Sequence, residues 1–219
     1  MNKPNTYITK AELARRHVQS LILSGSLGPG DRITSREVSD ALGISETPIR
    51  EALRSLASEG WLDIRNHIGA VVQGLKADQI REISALRSRI CALAIELGAP
   101  SFDKARLARI DENILAYADA LERKDYAEVA QINYEFHALL CDTPQSPWCH
   151  RLIENMHGLM SAQRHGMAPQ PDRLSDALDE HKRIRDLLRA DDFRGAAEMA
   201  GNHELRTGDF LIRMLGERE

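Results

Sequence analysis

The chain has 219 residues, 42% of them apolar, which is enough to build a core across one or two domains. No apolar run approaches the roughly 18 residues of a membrane span, and the N-terminal MNKPNTYITK has no apolar signal-peptide centre. Three cysteines (Cys91, Cys141, Cys149) without a CxxC suit a reducing cytoplasm rather than a disulfide scaffold. Collagen, a membrane protein, a secreted mini-protein and a disordered tail are excluded, and a cytoplasmic location is expected. The formal net charge of -4 is unevenly spread. Residues 1–76 carry ten Lys/Arg against eight Asp/Glu, net +2, and the remainder is net -6. A small basic head on an acidic body permits nucleic-acid binding through a local positive patch; an ordinary fluctuation of charge gives the same numbers.

The first predicted helix runs from Ile8 to Ser24, with apolar residues at i, i+3 and i+4 around Leu13, His17 and Leu21. Gly25 and the following SLGPGD stop it. Thr34 or Ser35 can cap a short second helix, Arg36–Leu42, that Gly43 ends. Ser45 starts a third helix through Ser58, with Pro48 tolerated in the first turn and Ile49, Leu53, Leu56 and Ala57 forming its buried stripe. Gly60 closes it. WLDIR and AVVQ then alternate like two short strands around a polar turn, Asn66–Gly69. Helix, short helix, helix and hairpin make the layout of a winged helix-turn-helix. From Ala77 onward six segments have a helical period: 77–97, 103–123, 126–141, 147–165, 173–190 and 192–215. Short breaks between them predict an antiparallel bundle. The expected fold is therefore mostly α, with a winged helix-turn-helix over 1–76 and an all-helical domain over 77–219.

In a helix-turn-helix the N-terminal residues of the recognition helix meet the base edges in the major groove. Here these are Ser45, Glu46, Thr47 and Arg50, opposite the Ile49/Leu53 stripe. Arginine reads guanine O6/N7 bidentately. Asn66, His67 and Gly69 are placed at the wing tip, over the neighbouring minor groove.

The run Ser45-Glu46-Thr47-Pro48-Ile49-Arg50-Glu51-Ala52-Leu53-Arg54-Ser55-Leu56, followed by Glu59-Gly60-Trp61-Leu62, resembles the DNA-binding signature of GntR-family transcription regulators. Leu27-Gly28-Pro29-Gly30-Asp31-Arg32-Ile33 is similar to the family's turn into its second helix. The helical remainder resembles the shorter six-helix ligand-binding domain of the FadR subfamily (VanR-like, FCD type). Arg50 and Arg36 match DNA-contacting arginines of the family. Glu46 stands where many relatives have arginine; a carboxylate can accept from cytosine N4, so the operator of relatives does not carry over.

The resemblance also implies a divalent metal, Zn or Ni, inside the bundle. His137, His181 and His203 match three histidine ligands. Asn133, four residues before His137 and on the same helix face, replaces the usual Asp of the fourth. A neutral amide there lowers metal affinity and favours an anionic effector. Arg87 matches a cavity-facing arginine suited to an organic-acid effector, with simple exposure as the alternative. Trp148 and Phe136 read as core. The implied function is a homodimeric, effector-responsive regulator, a repressor, bound to an inverted-repeat operator in double-stranded DNA and controlled by a small carboxylate metabolite. A metal-dependent hydrolase on the histidine-rich bundle is the alternative. It lacks a general base, because Glu135 falls on another face from His137. A DNA-architectural role suits the acidic body poorly.

Overall fold

The structure is a computed structural model that describes residues 8–65, 68–165 and 167–216. It divides into two compact units: residues up to Leu75 together with Gly158–Gly166, and Lys76–His157 together with the segment from Met167.

In the first unit, α1 (Lys10–Leu23), α2 (Ser35–Leu42) and α3 (Glu46–Ser58) precede a hairpin of β2 (Leu62–Arg65) and β3 (Gly69–Val72). Thr9 caps α1 by accepting from the Glu12 N–H. A reciprocal cap starts α2: the Thr34 hydroxyl accepts from the Glu37 N–H at 3.2 Å, and the Glu37 carboxylate accepts from the Thr34 N–H at 2.7 Å. Gly43 ends α2 in the left-handed region at φ 65°. The structure adds a strand that the sequence reading lacks, β1 (Arg32–Ile33), antiparallel to β3, so the sheet order is β1-β3-β2. Ala14, Val18 and Ile22 of α1 pack with Val38, Ile49, Leu53, Leu56, Trp61 and the hairpin as one core.

The second unit comprises α4 (Ala77–Gly98), α5 (Lys104–Glu122), α6 (Tyr126–Cys141), α7 (Pro147–Ala162), α8 (Pro171–Arg189) and α9 (Phe193–Gly216). The part of α7 from Gly158 onward clusters with the first unit, a grouping that a single cut at residue 76 does not capture. There Gly158 lies against the Trp61 indole with no room for a Cβ. Gln163, just beyond the helix, accepts from the Leu75 N–H at 3.0 Å. Tyr117, Phe136, Ile95, Ile110, Leu140 and Ile184 are among the bundle's fully buried side chains. Phe136 is core as the sequence implies, whereas Trp148 is 72% exposed on α7, with the Arg151 guanidinium over its ring.

The pairing of α4 with α9 sets the geometry of the bundle interior. It is intimate because serines on α4 face glycines on α9. A Cβ at Gly201 would come within 2.9 Å of Ser88 Oγ, and one at Gly208 would overlap Ser84. Any side chain at 208 must force the helices apart. Gly208→Leu is therefore expected to destabilise the bundle by about 1–3 kcal/mol, read as a lower urea midpoint for loss of helical circular dichroism, whereas Gly216→Leu, in open space, leaves the midpoint unchanged.

Candidate nucleic-acid interface and metal centre

The start of α3 presents Thr47 and Arg50 to solvent, with the Ser45 N-cap exposed ahead of them. Arg36, at the start of α2, is exposed as well. Ser45 makes no side-chain cap bond, which leaves its hydroxyl to solvent. Glu46 is not an isolated reader. Its Oε2 accepts from Arg50 Nη2 at 2.9 Å and from Ser35 Oγ at 2.7 Å, tying α2 to α3. These two bonds, Ser35 first, hold the Glu46 carboxyl below the usual carboxylate range. One turn further, Arg54 is exposed on the same face, a basic residue absent from the sequence-based set. Gly69 opens β3 at φ 110°, and a Cβ there would sit 3.1 Å from the Ile33 carbonyl oxygen, so its role in the wing is conformational. Asn66 and His67 lie outside the described residues.

In the bundle, α6, α8 and α9 bring His137, His181 and His203 together. All three are buried, and one ring nitrogen from each lies within 4.8 Å of the others. His203 is oriented by Glu180, whose Oε2 is 2.6 Å from His203 Nδ1. Burial raises the Glu180 carboxyl, but its bonds to His203 and Arg206 prevail and hold it at about 2. The ionised carboxylate can only accept, so Nδ1 carries the proton and Nε2 keeps its lone pair for a ligand. His181 stacks on Phe136 at 3.7 Å between ring centroids, and neither of its buried nitrogens has a hydrogen-bond partner. Burial, then the neighbouring His203 and His137, push its pKa well below the usual value, so it stays neutral. A buried imidazole with two unmet nitrogens costs free energy unless something outside the chain bonds it. The three residues fit a divalent ion on that ground.

Asn133 sits one turn before His137 on α6, half-buried. Arg87 is neither exposed nor an open fork. It is buried at 3% exposure and gives Nε and Nη2 to the carboxylate of Glu204, itself 1% exposed, at 2.8 and 2.9 Å. Only its Nη1 remains without a partner. Burial raises the Glu204 carboxyl, but Arg87, then His137, outweigh it and keep it well below the usual range. Glu204 Oε1 also lies 3.2 Å from His137 Nδ1. Glu135, the only base weighed for a hydrolase, is exposed and accepts from Gln131.

Glu180 and Glu204 escaped the sequence reading, although each adjoins a histidine of the cluster, in Glu180-His181 and His203-Glu204. Neighbouring helix positions point about 100° apart, so each glutamate faces a different partner from its histidine. Removing Glu204 strands Arg87 as a buried cation. Glu204→Ala is expected to cost about 3–5 kcal/mol in chemical denaturation, and Arg87→Met combined with Glu204→Leu to recover most of that loss.

Comparison with known proteins follows the same division. Residues 10–72 match the bacterial regulatory proteins of the gntR family, and residues 82–206 match the FCD domain. The chain is 27% identical to the HTH-type transcriptional regulator YdhC of Bacillus subtilis, over 84% of this chain and 81% of that protein. It is 29% identical to the probable D-xylose utilization operon transcriptional repressor of Paenarthrobacter nicotinovorans, over 87% and 84%. In fold it resembles Escherichia coli McbR/YncC, with a TM-score of 0.87 at 21% identity, covering 95% of this chain and 99% of that one.

Proposed function

The chain belongs to the gntR-family bacterial transcription regulators that carry an FCD domain, and on that premise we propose that it is a metabolite-controlled repressor with a metal-centred effector site. The family and its relatives are regulators and not enzymes, so the histidine cluster serves binding. The relative that acts on D-xylose utilization is itself named a repressor, which supports that sign of control.

The observation that carries the reading is the unmet hydrogen-bonding capacity inside the bundle. Both His181 nitrogens and Arg87 Nη1 are buried without partners. An ion held by His137, His181 and His203 acts as a Lewis acid that binds an anionic oxygen. Asn133, on the same face as His137, would add a neutral carbonyl oxygen to the set. Three guanidinium groups (Arg87, Arg173, Arg206) face two carboxylates (Glu180, Glu204) around the cluster. The surroundings are therefore net positive before any cation enters, and they favour a small carboxylate as effector. Arg87 Nη1, the guanidinium nitrogen of that residue without a partner, is the donor left for it.

In the head, Ser45, Thr47 and Arg50 at the start of α3 are read as the base-edge contacts, with Arg36 and Arg54 on phosphate. Arg50 has donors to spare beyond its bond to Glu46. The two binding roles divide between residues 1–76 and 77–219. An operator of two inverted half-sites calls for a homodimer, acting in the cytoplasm. Effector binding changes how well the paired heads match the half-site spacing, which couples the sites energetically.

Selection of genomic DNA fragments by the purified full chain is expected to enrich inverted repeats. Arg50→Ala should lower affinity for the enriched fragment at least about tenfold with circular dichroism unchanged. Enrichment of no sequence, with and without added divalent metal, overturns the operator reading. His181→Ala is expected to lower nickel affinity at least about tenfold in equilibrium dialysis while DNA binding persists. Equal affinity in variant and parent removes the three-histidine site.

A further inference from the structure

A second donor set lies in the same unit, and it has different chemistry. Cys91 of α4, His137 of α6 and Glu204 of α9 are all buried, and one ligand atom from each lies within 4.8 Å of the others. We propose that Cys91, His137 and Glu204 form a thiolate-containing metal position for thiophilic divalent ions such as Zn2+ or Cd2+, in competition with the three-histidine set for His137.

Three features of the site support it. His137 Nδ1 is 3.2 Å from Glu204 Oε1 and yet is left without a hydrogen bond, so the contact is close but poorly directed. An ion between such groups replaces a misaligned contact with coordination. Glu204 is oriented by two hydrogen bonds from Arg87, and each carboxylate oxygen retains a lone pair beyond the one that Arg87 uses. The third donor is sulfur, whose softness separates this position from the all-nitrogen set. Cys91 is fully buried, with the Cys141 sulfur 3.9 Å from its own. Binding breaks the Cys91 S–H bond, forms a sulfur–metal bond and releases the proton to solvent; no electron is transferred. The thiolate and the carboxylate set two negative charges against the divalent ion and the Arg87 guanidinium paired with Glu204, which leaves the occupied set with one positive charge. A neutral imidazole offers one lone-pair nitrogen, so His137 serves one position at a time. Soft ions such as cadmium settle at the sulfur-containing set, nickel settles among the three histidines, and zinc suits either.

The proposal stands apart from the regulator reading, and it is tested with cadmium on the full chain after removal of metal by chelation. Parent protein and His181→Ala are expected to develop a near-ultraviolet thiolate-to-cadmium charge-transfer band that saturates at a single equivalent. Cys141→Ala and Cys149→Ala keep the band, and Cys91→Ala loses it. Absence of the band from the parent, or a band of undiminished intensity in Cys91→Ala, overturns the proposal. Should Cys91→Ala fail to fold, Cys91→Ser decides. It keeps the side-chain shape without the sulfur, and the charge-transfer band is expected to be lost; a band of undiminished intensity overturns the assignment. The nickel response of His181→Ala reports on the three-histidine set separately, so either position can fail alone.

Discussion

The buried ion pair between Arg87 and Glu204 is the constraint on which the bundle interior depends. Its partners come from α4 and α9, separated by 117 positions in sequence. They meet only because Gly201 and Gly208 allow α9 to approach Ser88 and Ser84 closely. Taking two charges out of water is costly, and a pair of hydrophobic residues there would be nearly as stable. Stability alone therefore does not account for the pair. It places an ionised carboxylate 3.2 Å from His137 Nδ1 and leaves one guanidinium nitrogen unspent, so a single contact supports the cluster and presents a donor for an anion.

Glu180 repeats the device on the far side of the cluster. It accepts from His203 Nδ1 and from Arg206, with Arg173 next to it. Each of two histidines thus has a carboxylate at Nδ1, and each carboxylate is balanced by arginine. His181 has neither carboxylate nor hydrogen bond; it is held by stacking on Phe136 and by a T-shaped contact with Tyr117. Orientation by packing rather than by a polar partner keeps both of its nitrogens open. The cost of those unmet groups is local, and it is the cost that an ion removes.

Much of this architecture was legible in the sequence because it is governed by local rules. The periods over 77–97 and 126–141 predict α4 and α6 to within a residue, since a 3.6-residue stripe and flanking Gly, Pro and Asp signals agree there. Thr34 and Glu37 announce the start of α2 for the same reason. What was not legible depends on distance in space. Two residues of β1 have no periodicity, and only pairing with β3 makes them a strand. Trp148 looks like core by composition, yet its position on α7 turns it outward. Arg87 stands out in the sequence as a candidate, but its partner does not. Nothing near Glu204 in the chain indicates that an arginine on another helix will meet it.

Glu46 shows why a residue's type does not settle its role. Read alone, a carboxylate at the mouth of a recognition helix repels phosphate and invites a cytosine amino group. In the folded head its Oε2 is occupied by Ser35 and Arg50, while Oε1 makes neither bond. The repulsion is therefore partly cancelled by its own neighbour, and the exposed i,i+4 pair biases Arg50 toward one direction. An arginine in a set direction loses less rotamer freedom on binding than a free one. The departure at Glu46 thus ties down the arginine proposed above as the base reader, as Glu204 ties down Arg87 inside the bundle.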